Sequence, residues 1–268
     1  MSLSKEKIEI QNQWNNNLCG QVGDITYDLN YFLKVEKNRY VDYAPWMMDT
    51  YKYSDPKYAK KRLLEIGYGQ GTDLVQYSMS GAICYGIDYT PKHVELAKLN
   101  FLLRGIDANL IQGDASALPY EENYFDKVVS FGALHHTPDI KNCISEVYRV
   151  LKPNGEFVLS LYHRNSIFYY IKKVLIDGIL KLGFLRLGYK GVMATVEKGA
   201  DGKNIKPLVN VYSKKELMKL LNQFNNLSFE VHHLNKEDFP FIGQLLPNKL
   251  REILGRHFGW YIVAKCYK

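Results

Sequence analysis

From residue 62 onward, apolar runs and helical stretches alternate along the chain. Arg62–Ile66 (RLLEI) reads as a buried strand closed by a glycine-rich turn, and Thr72–Met79 as the helix after it. Ala82–Ile87 predicts a second strand, ended by Asp88. Thr90 is a candidate N-cap and Pro91 a first helical residue, with helix to about Leu103. Asn109–Gln112 and Asp126–Phe131 predict a third and a fourth strand. A helix from about Ile140 to Leu151 stops at Pro153, and the turn KPNG leads into a fifth strand, Glu156–Tyr162. Strands alternating with helices in this way predict a doubly wound, mostly parallel sheet with helices on both faces, an α/β fold.

The alternation lapses after Tyr162. Ser166–Leu187 is apolar at most helical positions and predicts one or two amphipathic helices, followed by a loop-like stretch, Gly188–Val211. Ser213 stands three residues before Glu216 in a capping-box pattern. Leu227–Leu234 and Trp260–Cys266 are a sixth and a seventh strand candidate, so the sheet is completed after an insertion. The first 60 residues are rich in aromatics, with Trp14, Tyr27, Tyr31, Phe32, Tyr40, Tyr43 and Trp46. Four segments result: an N-terminal helical cap (1–60), an alternating Rossmann-like core (61–162), a helical insertion between strands five and six (163–211), and a C-terminal completion of the sheet (212–268).

Charge adds one distinction. The net charge of +7 is unevenly spread: residues 1–162 hold 17 basic and 20 acidic side chains, net −3, and residues 163–268 hold 18 and 8, net +10. A hydrophobic share of 46% is enough for a full core and excludes global disorder. There is no long uncharged apolar run of spanning length and no secretory pattern at the start. Cys19, Cys84, Cys143 and Cys266 are scattered, with no metal-ligand spacing. A reduced, cytoplasmic protein without a metal or an integral membrane association is the expectation.

The most informative stretch is Leu63-Leu-Glu-Ile-Gly67-Tyr-Gly69-Gln-Gly71-Thr-Asp73. Glycines between a strand and a helix let the backbone approach a ligand closely. A dinucleotide fingerprint requires G-x-G-x-x-G, and here the third glycine, Gly71, falls one residue early. Glu65, two residues before Gly67, would repel a pyrophosphate and attract an ammonium. The pattern implies a nucleoside that lacks phosphates and carries a cationic group. Asp88, after the second strand, can accept both hydroxyls of a ribose. Asp114, in Gly113-Asp114-Ala115 after the third, can accept from an exocyclic amine of adenine.

With these residues in place, the segments EIGYGQGT, GID, GDASALPY, FDKVVSFGALHH and LKPNGEFVLS resemble the successive motifs of class I S-adenosylmethionine-dependent methyltransferases. The resemblance is to the type 11, small-molecule branch that includes the quinone methyltransferases. It is strong over residues 60–162 and weaker at Glu36-x-x-Arg39-Tyr40 and the final GWYIVAK. It implies a Rossmann-like methyltransferase fold of seven strands, S-adenosylmethionine as cofactor with S-adenosylhomocysteine as product, and a bacterial-type enzyme. Gly67, Gly69 and Gly71 would line the amino-acid portion and ribose, with Glu65 near the ammonium. Asp88 would take the ribose hydroxyls, and Asp114 with Ala115 the adenine. Phe131 would lie beside the methionine part. Tyr89 and Tyr40 complete the cofactor-binding set, and Arg39 would pair with the methionine carboxylate if the N-terminal segment closes as a lid.

Methyl transfer from a sulfonium needs alignment and exclusion of water more than acid–base help, but a hydroxyl or amine acceptor has to lose a proton. Ligands bind at the carboxyl ends of the strands, so the candidate bases are His135, His136 and His163, beside Tyr162 and Arg164. Each histidine also reads as the brace of a turn or strand end, and the sequence does not rank His135 against His136. The insertion reads either as an acceptor lid, roofed by Phe168, Tyr169, Tyr170 and Phe184, or as an interfacial helix whose Lys172, Lys173, Lys181 and Arg186 meet anionic lipid. A polar face too thin for a helix lying in the interface favours the lid. The leading expectation is therefore a methyltransferase for a small-molecule acceptor such as a sugar or natural-product intermediate. The basic second half points modestly to an acidic or phosphate-bearing one. The alternatives are a nucleic-acid methyltransferase, against which SFGALHH stands where base aminomethylases carry an NPPY-type motif, and a non-catalytic S-adenosylmethionine-binding partner. Either a monomer or a homodimer fits.

Overall fold

The computed structural model describes residues 5–238 and 247–268. The seven strands are β1 (Arg62–Ile66), β2 (Ile83–Asp88), β3 (Asn109–Gln112), β4 (Phe125–Phe131), β5 (Leu151–Tyr162), β6 (Asn225–His232) and β7 (Tyr261–Tyr267). They form one sheet in the order β3-β2-β1-β4-β5-β7-β6. All neighbours are parallel except β7, which runs antiparallel to both β5 and β6. This is the Rossmann-like arrangement. Strand order reverses between β1 and β4, and the crevice at such a switch point is where ligands bind in open parallel sheets.

The helices are α1 (Lys5–Asn16), α2 (Leu29–Lys37), α3 (Met47–Tyr51), α4 (Thr72–Met79), α5 (Pro91–Arg104), α6 (Ile140–Val150), α7 (Gly183–Ala194), α8 (Lys214–Leu220) and α9 (Asn248–Phe258). Two wide helical stretches with π-type hydrogen bonding, Asn38–Tyr43 and Phe168–Leu180, stand between them. Central strands carry almost uninterrupted apolar side chains because both faces are covered. Leu64, Ile66, Val128, Phe157 and Leu159 pack toward α6 residues Cys143, Ile144 and Val147, while Leu63, Val129 and Val158 face Leu74, Tyr77, Met47 and Tyr51. The capping box at Ser213 and Glu216 is formed, with each side chain bonded to the other residue's backbone N–H.

Most strand limits fall within one or two residues of the sequence pattern, β6 beginning and ending two residues before the expected 227–234, and two boundaries depart further. β5 begins at Leu151, not Glu156, because Leu151 pairs with Phe125 before a register shift between Phe125 and Lys127. The KPNG turn is thus an irregularity inside the strand, with Asn154 at φ 63°. In the insertion, helix continues past Gly188 to Ala194, where a loop was expected. Gly188 kinks it, at φ 69° and ψ 174°, but Val192, Met193 and Ala194 are buried and hold the last turn in place. Local breaker signals are overridden there by packing.

Candidate active site

A cleft of about 830 Å³, counted to its open mouth, lies at the carboxyl ends of β1, β2, β3 and β4. Its floor holds Gly67, Gly69, Asp88, Tyr89, Asp114, Ala115, Phe131 and His136, all expected from the sequence. Gly67, Gly69 and Gly71 have φ of 74°, 57° and 79°, in the left-handed region that favours glycine. At Gly67 a Cβ would stand 2.2 Å from that of Ala133, so the backbones of the first turn and the β4 end meet there as only glycine permits. Gly71 lies outside the cleft wall; it caps α4 and packs toward Ala97 and Phe101.

Asp88 is held by three donors. Its Oδ2 accepts from Gly69 N at 2.9 Å, and its Oδ1 from Thr90 N at 2.9 Å and from His93 Nδ1 at 3.2 Å. The His93 tautomer follows from the network: Nε2 accepts from Cys19 N at 3.4 Å, which leaves the proton on Nδ1. The carboxylate is thus fixed on the cleft wall. Asp114 accepts from Lys7 Nζ at 2.6 Å and from Ser116 N and Oγ at 2.8 and 2.7 Å. Burial pushes its carboxyl up, but these donors outweigh burial and hold it below the ordinary aspartate value.

The roof is α1, which contributes Lys7, Ile10 and Trp14. Lys7 bridges Asp114 and Asp139, Gln11 Nε2 donates to Tyr89 O at 2.9 Å, and Gln13 Nε2 donates to Lys198 O at 2.7 Å. The aromatics expected to roof the cleft from the insertion do not line it. Phe168 packs on Trp260, Phe184 lies against Gly178, Tyr169 is buried and Tyr170 faces outward. The sequence shows that these positions are apolar, but not which neighbour they meet.

Glu65, Arg39 and Tyr40 gather beside the cleft without lining it. Arg39 is engaged by the chain's own Asp73: its Nε donates to Oδ1 at 2.7 Å and Nη2 to Oδ2. Tyr40 and Tyr53 hydroxyls donate to the same Oδ1 at 2.6 and 2.9 Å. The Arg39 guanidinium lies 4.5 Å over the Phe131 ring, so it reaches the cleft only through that ring. Glu65 is buried and its Oε2 has no hydrogen-bond partner among the described residues. Burial, reinforced by Asp73 and opposed by Arg39, pushes its carboxyl well above the ordinary value. Behind the glycine turn two carboxyl groups, Glu65 and Asp73, thus stand beside one guanidinium, Arg39.

The three candidate histidines separate. His163 is buried away from the cleft; its Nδ1–H donates to Gly259 O at 3.1 Å and its backbone N to Trp260 O at 2.7 Å. It braces β5 to the entry of β7. His135 is fully buried, its ring tilted against that of Tyr162 with centroids 3.8 Å apart, and neither of its ring nitrogens has a partner among the described residues. Of these three, His136 is the one that lines the cleft. Its Nδ1–H donates to Leu208 O at 2.7 Å, which leaves the Nε2 lone pair 3.7 Å from Glu197 Oε1. Tyr162 OH donates to that same oxygen at 2.9 Å. Glu197 was missed by sequence reasoning: it sits 61 residues beyond His136 in an insertion without a motif, and no spacing connects the two.

Burial lowers the His163 pKa, with its Gly259 bond as the weaker opposing effect. A depressed folded-state pKa adds stability that is present above the unfolded value of about 6.5 and is lost as pH falls through the folded one. The stability gap between wild type and His163→Phe, read from urea midpoints, should therefore narrow as pH drops below about 6.5. A constant gap would mean that His163 is not buried neutral. Comparing two variants cancels Asp238, which burial pushes up to about 6 and which acts with the opposite sign.

The comparisons with known proteins agree with this geometry. Residues 64–159 match the family model of a methyltransferase domain, the type 11 family. This segment is a class I S-adenosylmethionine-dependent methyltransferase domain. An uncharacterized methyltransferase, YcgJ, of Bacillus subtilis is 35% identical over 102 residues, 38% of this chain and 40% of that protein. A ubiquinone biosynthesis O-methyltransferase of Pseudomonas entomophila is 33% identical over 125 residues, 46% of this chain and 54% of that one. The chain thus spans about half or less of the length of these curated relatives. Among solved structures, the putative methyltransferase in complex with the Trm112 activator of Haloferax volcanii superimposes with a TM-score of 0.57 at 14% identity, covering 96% of both chains, which speaks for the fold. Among the described residues no group of His, Cys, Asp or Glu is placed to hold a metal ion, and no helix is long and apolar enough to cross a membrane.

Proposed function

We propose that the chain methylates a small-molecule acceptor with S-adenosylmethionine as donor, and that His136 is the base that takes the acceptor's proton. The observation that carries the reading is the set of acids around one cleft at the switch point: Asp88 and Asp114 on its wall, Glu65 and Asp73 behind the glycine turn. The residues fit the cofactor. Glu65 Oε2 is buried beside the cleft with no hydrogen-bond partner among the described residues, and a Cβ at Gly69 would meet nothing within 4 Å, so that turn leaves room for a ligand. Asp88 would hold the ribose, Asp114 and Ala115 the adenine, and Phe131 the methionine portion. When bound, the cofactor supplies an electrophilic methyl group on a sulfonium.

The chain's own residues do the rest. Phe131 and Trp14 wall the reacting region and keep water out. His136 is fixed in one tautomer by Leu208 O, so Nε2 is the nitrogen free to accept a proton. Glu197 Oε1 stands 3.7 Å from that nitrogen. In this reading residues 1–60 act as the cap, through α1, and the insertion contributes Glu197. The ubiquinone-biosynthesis relative supports a small acceptor, and the basic second half favours an acidic or phosphorylated one.

With an acceptor identified by a labelled-methyl screen, His136→Ala should lower turnover at saturating cofactor by about 10²–10⁴-fold. His163→Phe should leave turnover within about threefold of wild type, because it braces the sheet and touches no ligand. Equal turnover of wild type and His136→Ala would remove the base assignment.

A further inference from the structure

The insertion ends in a helical hairpin whose apolar tip has nothing over it. The helix Phe168–Leu180 turns at Lys181 and Leu182, the latter at φ 56°, into α7. Ile179, Leu180, Leu182 and Leu185 cluster at this turn with relative exposures of 53%, 68%, 55% and 84%. Four large aliphatic side chains so exposed at one end of a hairpin are not ordinary surface. The tip is also built rigidly. Phe184 lies against Gly178, where a Cβ would come within 2.3 Å of its ring, and Asp177 ties Lys173 and Lys181 together at 3.0 Å each.

Within the hairpin tip itself every charged residue is basic. Between Asp177 and Glu197 there is no acidic residue, while Lys181, Arg186 and Lys190 all stand there exposed. Asp177 is already committed to its two lysines, and the Arg186 side chain has no partner among the described residues. An apolar end ringed by cations matches a surface that is oily inside and anionic at its face. A second copy of the chain is the poorer match, because tip-to-tip contact would bring Lys181 and Arg186 of both copies together. The polar face is thin for a helix lying flat in the interface, but the exposed leucines are at the turn, so the hairpin meets the surface end-on.

We propose that the tip of this hairpin, Ile179 to Arg186, docks the protein on the surface of an anionic lipid bilayer. Lys190 reaches Glu6 on the roof helix at 3.6 Å, so the docked hairpin stands next to the cover of the cleft.

The test is flotation of the full-length protein with vesicles of phosphatidylcholine alone or with about one third phosphatidylglycerol, at low and high salt. It needs no acceptor and no cofactor, so its outcome is separate from that of the methyltransferase reading. Binding to the anionic vesicles should exceed binding to the neutral ones about tenfold or more and fall with salt. The pair Leu180→Ser and Leu185→Ser should cut it by about tenfold or more, and Arg186→Glu should cut it on anionic vesicles alone. Leu102→Ser, an equally exposed leucine on α5, should leave it unchanged. Because all these positions are exposed, melting temperatures should stay at the wild-type value and certify the fold. Absence of flotation, flotation insensitive to the leucine pair, or a wild-type dimer that the leucine pair turns into a monomer would each overturn the proposal, the last by assigning the tip to a second copy.

Discussion

Asp88→Ala should weaken S-adenosylmethionine binding by about a hundredfold or more. Hydrogen bonds to a charged acceptor contribute about 1.5–3 kcal/mol each, and a carboxylate accepting two ribose hydroxyls would lose two of them. Asp88 also collects Gly69 N, Thr90 N and His93 Nδ1, so its removal loosens the turn that shapes the cleft. Asp88→Asn separates the two effects. An amide oxygen can still take Gly69 N, so the fold should keep most of its stability while the charge is gone. Calorimetric titration should therefore find Asn between wild type and Ala. Wild-type affinity in Asp88→Ala would show that the ribose is held elsewhere.

The second large effect is on stability. Arg39→Ala leaves Asp73 buried without its cation, and breaking a buried pair from one side costs about 3–5 kcal/mol. Two tyrosine hydroxyls remain on Asp73, which favours the lower end. At about 2–4 °C per kcal/mol for a chain of this size, the melting temperature should fall by about 10 °C. Arg39→Lys should fall between, since an ammonium restores charge but not the two-pronged contact. The same variant decides the role first expected for Arg39. If it contacted a cofactor carboxylate instead of bracing Asp73, affinity would drop and the melting temperature would hold.

What the sequence makes legible here is whatever is decided locally. β1, β3 and α4 begin and end where the apolar runs and the glycine turn say, because those limits are set by local apolar patterning and turn chemistry. The acids at 88 and 114 are readable for the same reason: a polar residue that closes a buried strand at the sheet's carboxyl edge has one place to point. What depends on distant packing is not legible. Sequence could not choose among His135, His136 and His163, because the choice depends on Gly259, Tyr162 and Leu208. Glu197 comes within 3.7 Å of His136 only because the insertion folds back to Tyr162 at the end of β5. The sequence names residues 1–60 as a cap, but not that Lys7 and Trp14 would line the cleft while the aromatics at 168–184 stay out of it.

The central claim is that the cleft at the β1–β4 switch point takes a cationic, phosphate-free nucleoside. Isothermal titration of the full chain with S-adenosylmethionine and, separately, with NAD tests it most directly. The account predicts one saturable site for S-adenosylmethionine, lost in Asp88→Ala, and no binding of NAD at the same concentrations. Binding of NAD in preference, or S-adenosylmethionine binding that Asp88→Ala leaves intact, would contradict it.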